Sequence, residues 1–461
     1  MHQWLVPYVI QPLYQGLTGR RPWSEARRLR ELQWRSTDEL EARAVKRLRA
    51  LVEHAATHVP YYRELLQATG VGPGDIRTLA DLARVPMSEK TVIRANFPAR
   101  VLADNLPARR RYRIFTSGSS GTPFELYIDR AELDSLLGSY YFFREWDGTA
   151  LWDGRLRITG SSAASRFPAY LPHISSWMRR LVTGEWVVKV AGAELSLERF
   201  LELVTRLARR GPYTIDAYPS YAARLGAQLL EAGIELPACP RVVVCGAETL
   251  TSGDAAIIER AFRCRVLNQY SCWEAPHLAQ TCPDNPAVLH VNSERAILRV
   301  VRSDGSTAEP GEQGRVLLTN LGNYVMPFIN FDVGDLATAG SGCTCGRGFP
   351  TIQNLDGRTI EMIRTPAGKL ISAGTLGNFA TFQYPIMPYV WQFQAVQTAA
   401  DALVLRIVPT ERFTSEFAAA LRERLRAFLG AGMRVEVEAV ARIEPEASGK
   451  RLILKAWSPA A

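Results

Sequence analysis

Arg241-Val-Val-Val-Cys245 is a short apolar run between Pro240 and Gly246. It reads as a strand buried on both faces. The segments on either side extend the pattern. Ser252–Phe262 reads as a helix and Arg265–Tyr270 as the next strand. Upstream, Glu198–Arg210 reads as a helix, Thr214–Ala217 as a strand, and Tyr221–Ala232 as a helix stopped at Gly233. This βαβα rhythm predicts a largely parallel sheet covered by helices on both faces. Ligands of such sheets bind beyond the carboxyl ends of the strands. Two loops fall there: Gly246-Ala-Glu248 and Tyr270-Ser-Cys-Trp-Glu274.

Further out the texture changes. Residues 287–302 and 314–320 alternate as antiparallel strands, and a Gly/Cys loop follows at 340–348. After about residue 358 a small α+β unit begins. Val390–Thr398 and Ala402–Pro409 read as a hairpin. Glu411–Leu429 reads as a helix with Leu421, Leu425 and Leu429 on one face, and Met433–Val440 as a strand. Residues 24–56 have helical spacing, with a helix start at Ser36-Thr-Asp-Glu39. Asp75–Ala83 and Ser88–Asn96 read as further short helices. The expected fold class is therefore an α/β large N-terminal domain with parallel sheets covered by helices, plus a small α+β C-terminal domain.

Bulk properties bound the function. Apolar residues make up 47% of 461, ample for a large core. No apolar run reaches the roughly 18 residues needed to cross a bilayer. The N-terminal stretch lacks the basic start and cleavage site of a signal peptide. The net charge of +9 is spread along the chain. It suits polyanionic small ligands such as nucleotides or coenzyme A, and no nucleic-acid-binding signature accompanies it. Seven scattered cysteines argue for a reducing, cytoplasmic location rather than a disulfide scaffold.

Thr116-Ser-Gly-Ser-Ser-Gly-Thr-Pro123 lies between two strand-like segments, Arg111–Phe115 and Phe124–Ile128. Gly118 and Gly121 allow close backbone approach, and successive N–H groups can line an anion-binding concavity. The Gly-Lys-[Ser/Thr] ending of a P-loop is missing.

Four separated features align: Thr116–Pro123, Tyr270–Glu274, Asn330-Phe-Asp-Val-Gly-Asp-Leu336 and Ser448-Gly-Lys450. With Gly357-Arg358, their order resembles the adenylate-forming superfamily of acyl-CoA synthetases, adenylation domains and luciferases. The chain looks most like its phenylacetate–coenzyme A ligase and capsule-biosynthesis branch. His54-Ala-Ala-Thr-His-Val-Pro-Tyr-Tyr62 and Tyr218-Pro-Ser220 are similar to that branch too.

The resemblance implies a two-step ligase. A carboxylate attacks the α-phosphate of ATP, and a thiol or amine then displaces AMP. Thr116, Ser117, Gly118, Ser119, Ser120, Gly121 and Thr122 would hold phosphates. Glu274 would bind Mg²⁺. Gly246, Ala247, Glu248 and Tyr270 would flank the adenine. Asp335 would accept from the ribose hydroxyls. Arg358 would support the ribose or α-phosphate, and Lys450 would bridge the acid and the α-phosphate. The large domain would span residues 1–357 and a mobile small domain 358–461, hinged near Glu361. The implied partners are a small-molecule carboxylic acid and coenzyme A, or instead an amine, hydroxyl or carrier protein as acceptor. A homodimer stays open, and so does a non-catalytic relative of the fold. Tyr140-Tyr-Phe-Phe143, Tyr218 and Tyr221 are candidates to line an aryl pocket, or are plain core. There are departures. Phe124 stands where many members carry Lys, and the Thr before Glu274 is replaced by Trp273. Thr359-Ile-Glu361 follows Arg358 in place of paired acids.

A second site is expected. Cys343-Thr-Cys345 with upstream Cys282 and His290 would make a closed Cys₃His set for structural Zn²⁺. His277 is a rival: it would replace His290 as fourth ligand, or face the acyl pocket.

Overall fold

The valine run forms the middle of a sheet. In the computed structural model Val242–Gly246 is a strand whose first four residues are buried. It pairs in parallel with Tyr213–Ala217 and with Arg265–Cys272. Gly154–Thr159 and Trp186–Ala191 continue the parallel set. The structure describes residues 5–107, 111–115, 125–150, 152–159, 186–192, 195–358, 362–380, 384, 386, 388–430, 432–446 and 451–457.

The helices between these strands form for local reasons. Leu197–Ala208 buries Phe200, Leu203, Val204 and Leu207, spaced to fall on one face. Its cap Ser196 accepts from the Arg199 N–H. Pro219–Glu231 starts on a proline, which suits the first helical turn. Ser252–Phe262 is capped by Thr251, which accepts from the Asp254 N–H. All three pack on Ile215, Val243 and Cys245 in one core.

Only part of the sheet is parallel. Cys272 and Ala275 already pair across a two-residue turn, far too short for a parallel crossover. From there Ala275–Thr281, Leu289–Val291, Thr351–Arg358, Phe331–Ala339, Gln313–Asn320 and Ala296–Val301 follow as antiparallel neighbours. The sheet is mixed, with twelve strands among the described residues.

Two expected helices are reshaped. Asp75–Ala83 is split into the 3₁₀ turns Pro73–Asp75 and Leu79–Arg84. The Asp81 carboxylate accepts from the Arg77 and Thr78 N–H groups, which holds a turn instead of a helix. Ser88 and Glu89 are not helical. They pair in parallel with Phe331 and Asp332, and the helix is Lys90–Ala95.

The N-terminal helices Pro22–Leu32 and Thr37–His58 brace the large unit. Ser36 caps the second through a reciprocal bond with Glu39. Pro22–Leu32 crosses Arg130–Trp146 closely. A Cβ added at Gly138 would lie 2.5 Å from Glu25 Cβ.

The smaller C-terminal sheet has four strands: Arg434–Ala439, Ala402–Pro409, Val390–Ala399 and Leu454–Lys455. The helix Ser415–Leu429 covers it with Leu421, Leu425 and Leu429, as the sequence pattern predicts. It starts later than Glu411 because Thr414 caps it. Among the described residues no helix is long and apolar enough to cross a membrane.

Candidate active site

Three of the expected ligand residues meet at one point. Tyr270 lies on Arg265–Cys272, next to the turn where the sheet reverses. Asp335 and Arg358 are paired residues on adjacent antiparallel strands. The Tyr270 hydroxyl donates to Asp335 Oδ2 at 2.7 Å, and Arg358 Nε donates to Oδ1 at 3.1 Å. Both carboxylate oxygens are fixed, yet each keeps a second acceptor site. Burial, reinforced by the Asp335 charge, raises the Tyr270 phenol well above its usual value, so it stays a donor. Gly357, beside Arg358, has φ 107°, a conformation glycine adopts without strain.

Glu274 occupies the sheet-reversing turn and is buried. Its main-chain carbonyl accepts from the Asn320 side-chain amide at 2.7 Å. Asn320 also donates to Glu132 at 3.0 Å, and Glu132 pairs with fully buried Arg295 at 2.5 Å. This polar scaffold holds the turn from below. Burial raises the Glu274 carboxyl, while the Lys90 ammonium acts against the rise.

Lys90 escapes the sequence reading. The short parallel pairing of Ser88-Glu89 with Phe331-Asp332 delivers it beside the Asp335 strand. Burial lowers its ammonium, Glu274 and Asp335 oppose that shift, and Arg358 and Arg94 add to it. No local motif marks this position. Its signal is a two-residue bridge across the sheet.

The Gly246-Ala-Glu248 turn is strained, with Ala247 at φ 69°. Glu248 has a contact not foreseen. Its Oε1 accepts from the Arg451 main-chain N–H at 2.8 Å, and Oε2 from the Ser220 N–H at 3.2 Å. The Arg451 guanidinium donates to the Ser220 carbonyl at 3.1 Å. Glu248 therefore ties the start of the Pro219–Glu231 helix to the segment just after Lys450. Burial raises the Glu248 carboxyl and lowers the Arg451 guanidinium.

Thr116, Ser117, Gly118, Ser119, Ser120, Gly121, Thr122, Glu361 and Lys450 lie outside the described residues. The strands flanking the 116–124 segment are described. Tyr112–Phe115 and Glu125–Ile128 pair antiparallel, with Phe115 opposite Glu125.

The second cluster also assembles. The ligand atoms of Cys282, His290, Cys343 and Cys345 lie within 4.8 Å of one another. Cys343 Sγ is 3.9 Å from Cys282 Sγ, and Cys345 Sγ is 3.3 Å from His290 Nε2. His290 Nδ1 bonds the Phe349 carbonyl at 2.9 Å, which turns Nε2 toward the thiols. These separations fit a tetrahedron with Zn–S of about 2.3 Å and Zn–N of about 2.0 Å. His277 is not part of the cluster. It packs against Tyr140 at 5.1 Å, so the rival ligand is excluded.

The family model of the CapK C-terminal domain matches residues 363–456. A phenylacetate-coenzyme A ligase from Thermus thermophilus is 26% identical over 353 residues, covering 72% of this chain and 73% of that protein. Protein CapK from Staphylococcus aureus is 21% identical over 342 residues, covering 71% and 70%. Over about 70% of its length the chain is thus similar to phenylacetate-coenzyme A ligases and to Protein CapK, and its C-terminal unit matches the CapK C-terminal domain. Its large helix-flanked sheet and smaller C-terminal sheet unit share the two-domain architecture of solved adenylate-forming ligases. The structure of 2-hydroxyisobutyryl-CoA ligase in its postadenylation state superposes with TM-score 0.72 at 20% identity, covering 90% of this chain and 89% of that one. The same ligase in its thioesterification state superposes at 0.58.

Proposed function

We propose that this chain activates a carboxylic acid with ATP and passes the acyl group to coenzyme A. The observation that carries this reading is the convergence of Tyr270, Asp335, Arg358, Glu274 and Lys90 beside the sheet's reversing turn. In the first step a carboxylate oxygen of the acid bonds to the α-phosphorus, and pyrophosphate leaves. In the second the coenzyme A sulfur bonds to the acyl carbon, AMP leaves, and the thiol proton goes to solvent.

Asp335 would accept from the ribose hydroxyls through its remaining lone pairs. Tyr270 and Arg358 hold that carboxylate in place. The 116–122 loop and Lys90 would bind phosphate oxygens. Lys90 would supply, from the start of the Lys90–Ala95 helix, the positive charge that Phe124 lacks. Lys450 would bridge acid and α-phosphate, carried to the site by the Arg451–Glu248 contact. Mg²⁺ bound at Glu274 would neutralise phosphate charge, and burial without a cation disfavours the Glu274 anion. The reading includes a large domain of residues 1–357 and a small domain of 358–461 that rotates between the steps. It also includes Zn²⁺ at Cys282, His290, Cys343 and Cys345, as a clamp between loops.

The test is pyrophosphate release from ATP and Mg²⁺ across aryl, fatty and hydroxylated acids, with coenzyme A, an amine or no acceptor. Acid-dependent release that falls at least 100-fold in Lys450→Ala is expected, roughly the scale of a lost charged transition-state contact. Release independent of added acid would overturn the reading.

A further inference from the structure

Beside the Tyr270–Asp335 point, the parallel strands carry a polar ring that the nucleotide roles leave unused. Arg157 on Gly154–Thr159 stands in register with Asp216 on Tyr213–Ala217. Asp216 Oδ1 accepts from Arg155 at 2.6 Å, and Oδ2 from Arg157 at 3.1 Å. Arg155 also donates to Asp147 at 2.9 Å, and Arg157 to the Tyr140 hydroxyl at 3.3 Å. From Asp147 the bonds run through Gln280 (2.9 Å) and Gln269 (2.9 Å) to His277 Nδ1 (3.1 Å). His277 then packs on Tyr140, which closes the ring.

The floor of the ring is buried, with the Arg155 and Asp147 side chains 3% and 2% exposed. Its rim is only partly buried, with the Arg157 and Asp216 side chains at 23% and 17%. The rim borders the nucleotide end. The His277 N–H donates to Ser271 Oγ at 3.1 Å, and Ser271 follows Tyr270. Ala217, beside Asp216, pairs with Cys245 just before the 246–248 turn. Burial first, then the charges of Arg295, Arg157 and Arg155, push His277 down to about 3, so it is neutral. The Gln269 amide donates to Gln280, so its carbonyl accepts from His277 Nδ1–H and Nε2 is the acceptor nitrogen.

We propose that this ring receives the acyl tail, and that the activated acid carries a hydroxyl group that accepts from Arg157 and donates to Asp216 or His277 Nε2. A phenyl or alkyl tail laid on the rim would strip water from a guanidinium and a carboxylate and return no hydrogen bond. A hydroxyl-bearing tail restores those bonds. The aromatic residues at 140–143 do not supply an apolar alternative. Tyr141, Phe142 and Phe143 are buried in a core with Trp23, Trp146 and Phe349, and Tyr140 faces the ring.

The inference rests on the adenylation reading, and one experiment separates the two. Pyrophosphate release is measured with the matched sets butyric, 3-hydroxybutyric and butanedioic acid, and phenylacetic and 4-hydroxyphenylacetic acid. The hydroxylated member is expected to exceed its hydrocarbon partner in kcat/KM by about 10-fold or more, the discrimination of a site built to hydrogen-bond its substrate. Butanedioic acid, whose second carboxylate would meet the Asp216 anion, should show no such gain, and a gain equal to that of the hydroxy acid would overturn the assignment. Arg157→Leu should erase the preference, lowering kcat/KM for the hydroxylated acids more than for the hydrocarbon acids. Tyr140→Phe, a gentler change, should reduce it in the same direction if Arg157→Leu fails to fold. Hydrocarbon acids turning over as well as or better than their hydroxylated partners would overturn the polar pocket and leave adenylation standing. No acid-dependent release at all would refute the adenylation reading and this inference with it.

Discussion

Glu248→Ala should disable the first half-reaction far more than the second. The carboxylate accepts the Arg451 N–H at 2.8 Å and the Ser220 N–H at 3.2 Å. Hydrogen bonds to a charged group contribute about 1.5–3 kcal/mol each. The Ser220 bond lies within the large unit, so its loss falls on both postures of the small domain alike. The Arg451 bond exists only when the two are docked, so its loss shifts the docked population. A shift of about 1.5–3 kcal/mol is roughly 10- to 150-fold in that equilibrium. Pyrophosphate release from ATP and acid should fall by about that factor. Thioester formation from presynthesised acyl-adenylate and coenzyme A should change less than about threefold, because it does not need Lys450 in place. Trypsin should also cut faster between residues 358 and 364 in the variant. Equal losses in both half-reactions, with an unchanged melting curve, would refute the latch.

Other outcomes follow from the same geometry. Lys90→Met should lower kcat/KM for pyrophosphate release about 10- to 100-fold without lowering the melting temperature; unchanged kinetics would remove Lys90 from the site. Elemental analysis should find about one zinc per chain, and Cys343→Ser should lose the metal and melt earlier, whereas metal-free protein of equal stability and activity would exclude the site. His277 is held near 3 in the fold against 6.5 when free. A base with a depressed folded pKa stabilises the protein above its unfolded value and loses that contribution as pH falls. Between pH 6 and 4 the wild type should therefore lose up to about 1 kcal/mol per pH unit more than His277→Phe, read by denaturant unfolding; parallel slopes would show that His277 does not titrate.

Local information carried much of the fold into the sequence. Ser36 with Glu39, Thr251 with Asp254, and the Leu421–Leu425–Leu429 face each announce an element through contacts within a few residues. Tyr270, Asp335 and Arg358 were readable from motif order, and the structure joins them. Lys90 was not, because its neighbours Glu274 and Asp335 are distant in sequence and reach it through a two-residue bridge. Glu248 shows the same limit. Its turn was marked as special, but the Arg451 partner lies 203 residues away. The polar ring was missed because aromatic residues at 140–143 read as an apolar lining, while periodicity is silent on which of them faces a neighbouring Arg–Asp pair.

The thiol cluster also has a meaning for chain topology. Cys282 and Cys343 are 61 residues apart, and the segment between them contains the strand that bears Asp335. Tyr270 and Glu274 lie before that segment and Arg358 after it. Zn²⁺ held by the cluster would join its ends and close a circuit of chain through the proposed nucleotide site. By the chain-entropy account such a closure disfavours the unfolded ensemble by about 4 kcal/mol. It also keeps the Asp335 strand from leaving its neighbours on its own. Losing the cluster would first free one circuit, with Asp335 on it, while Tyr270 and Arg358 remained on strands outside the circuit.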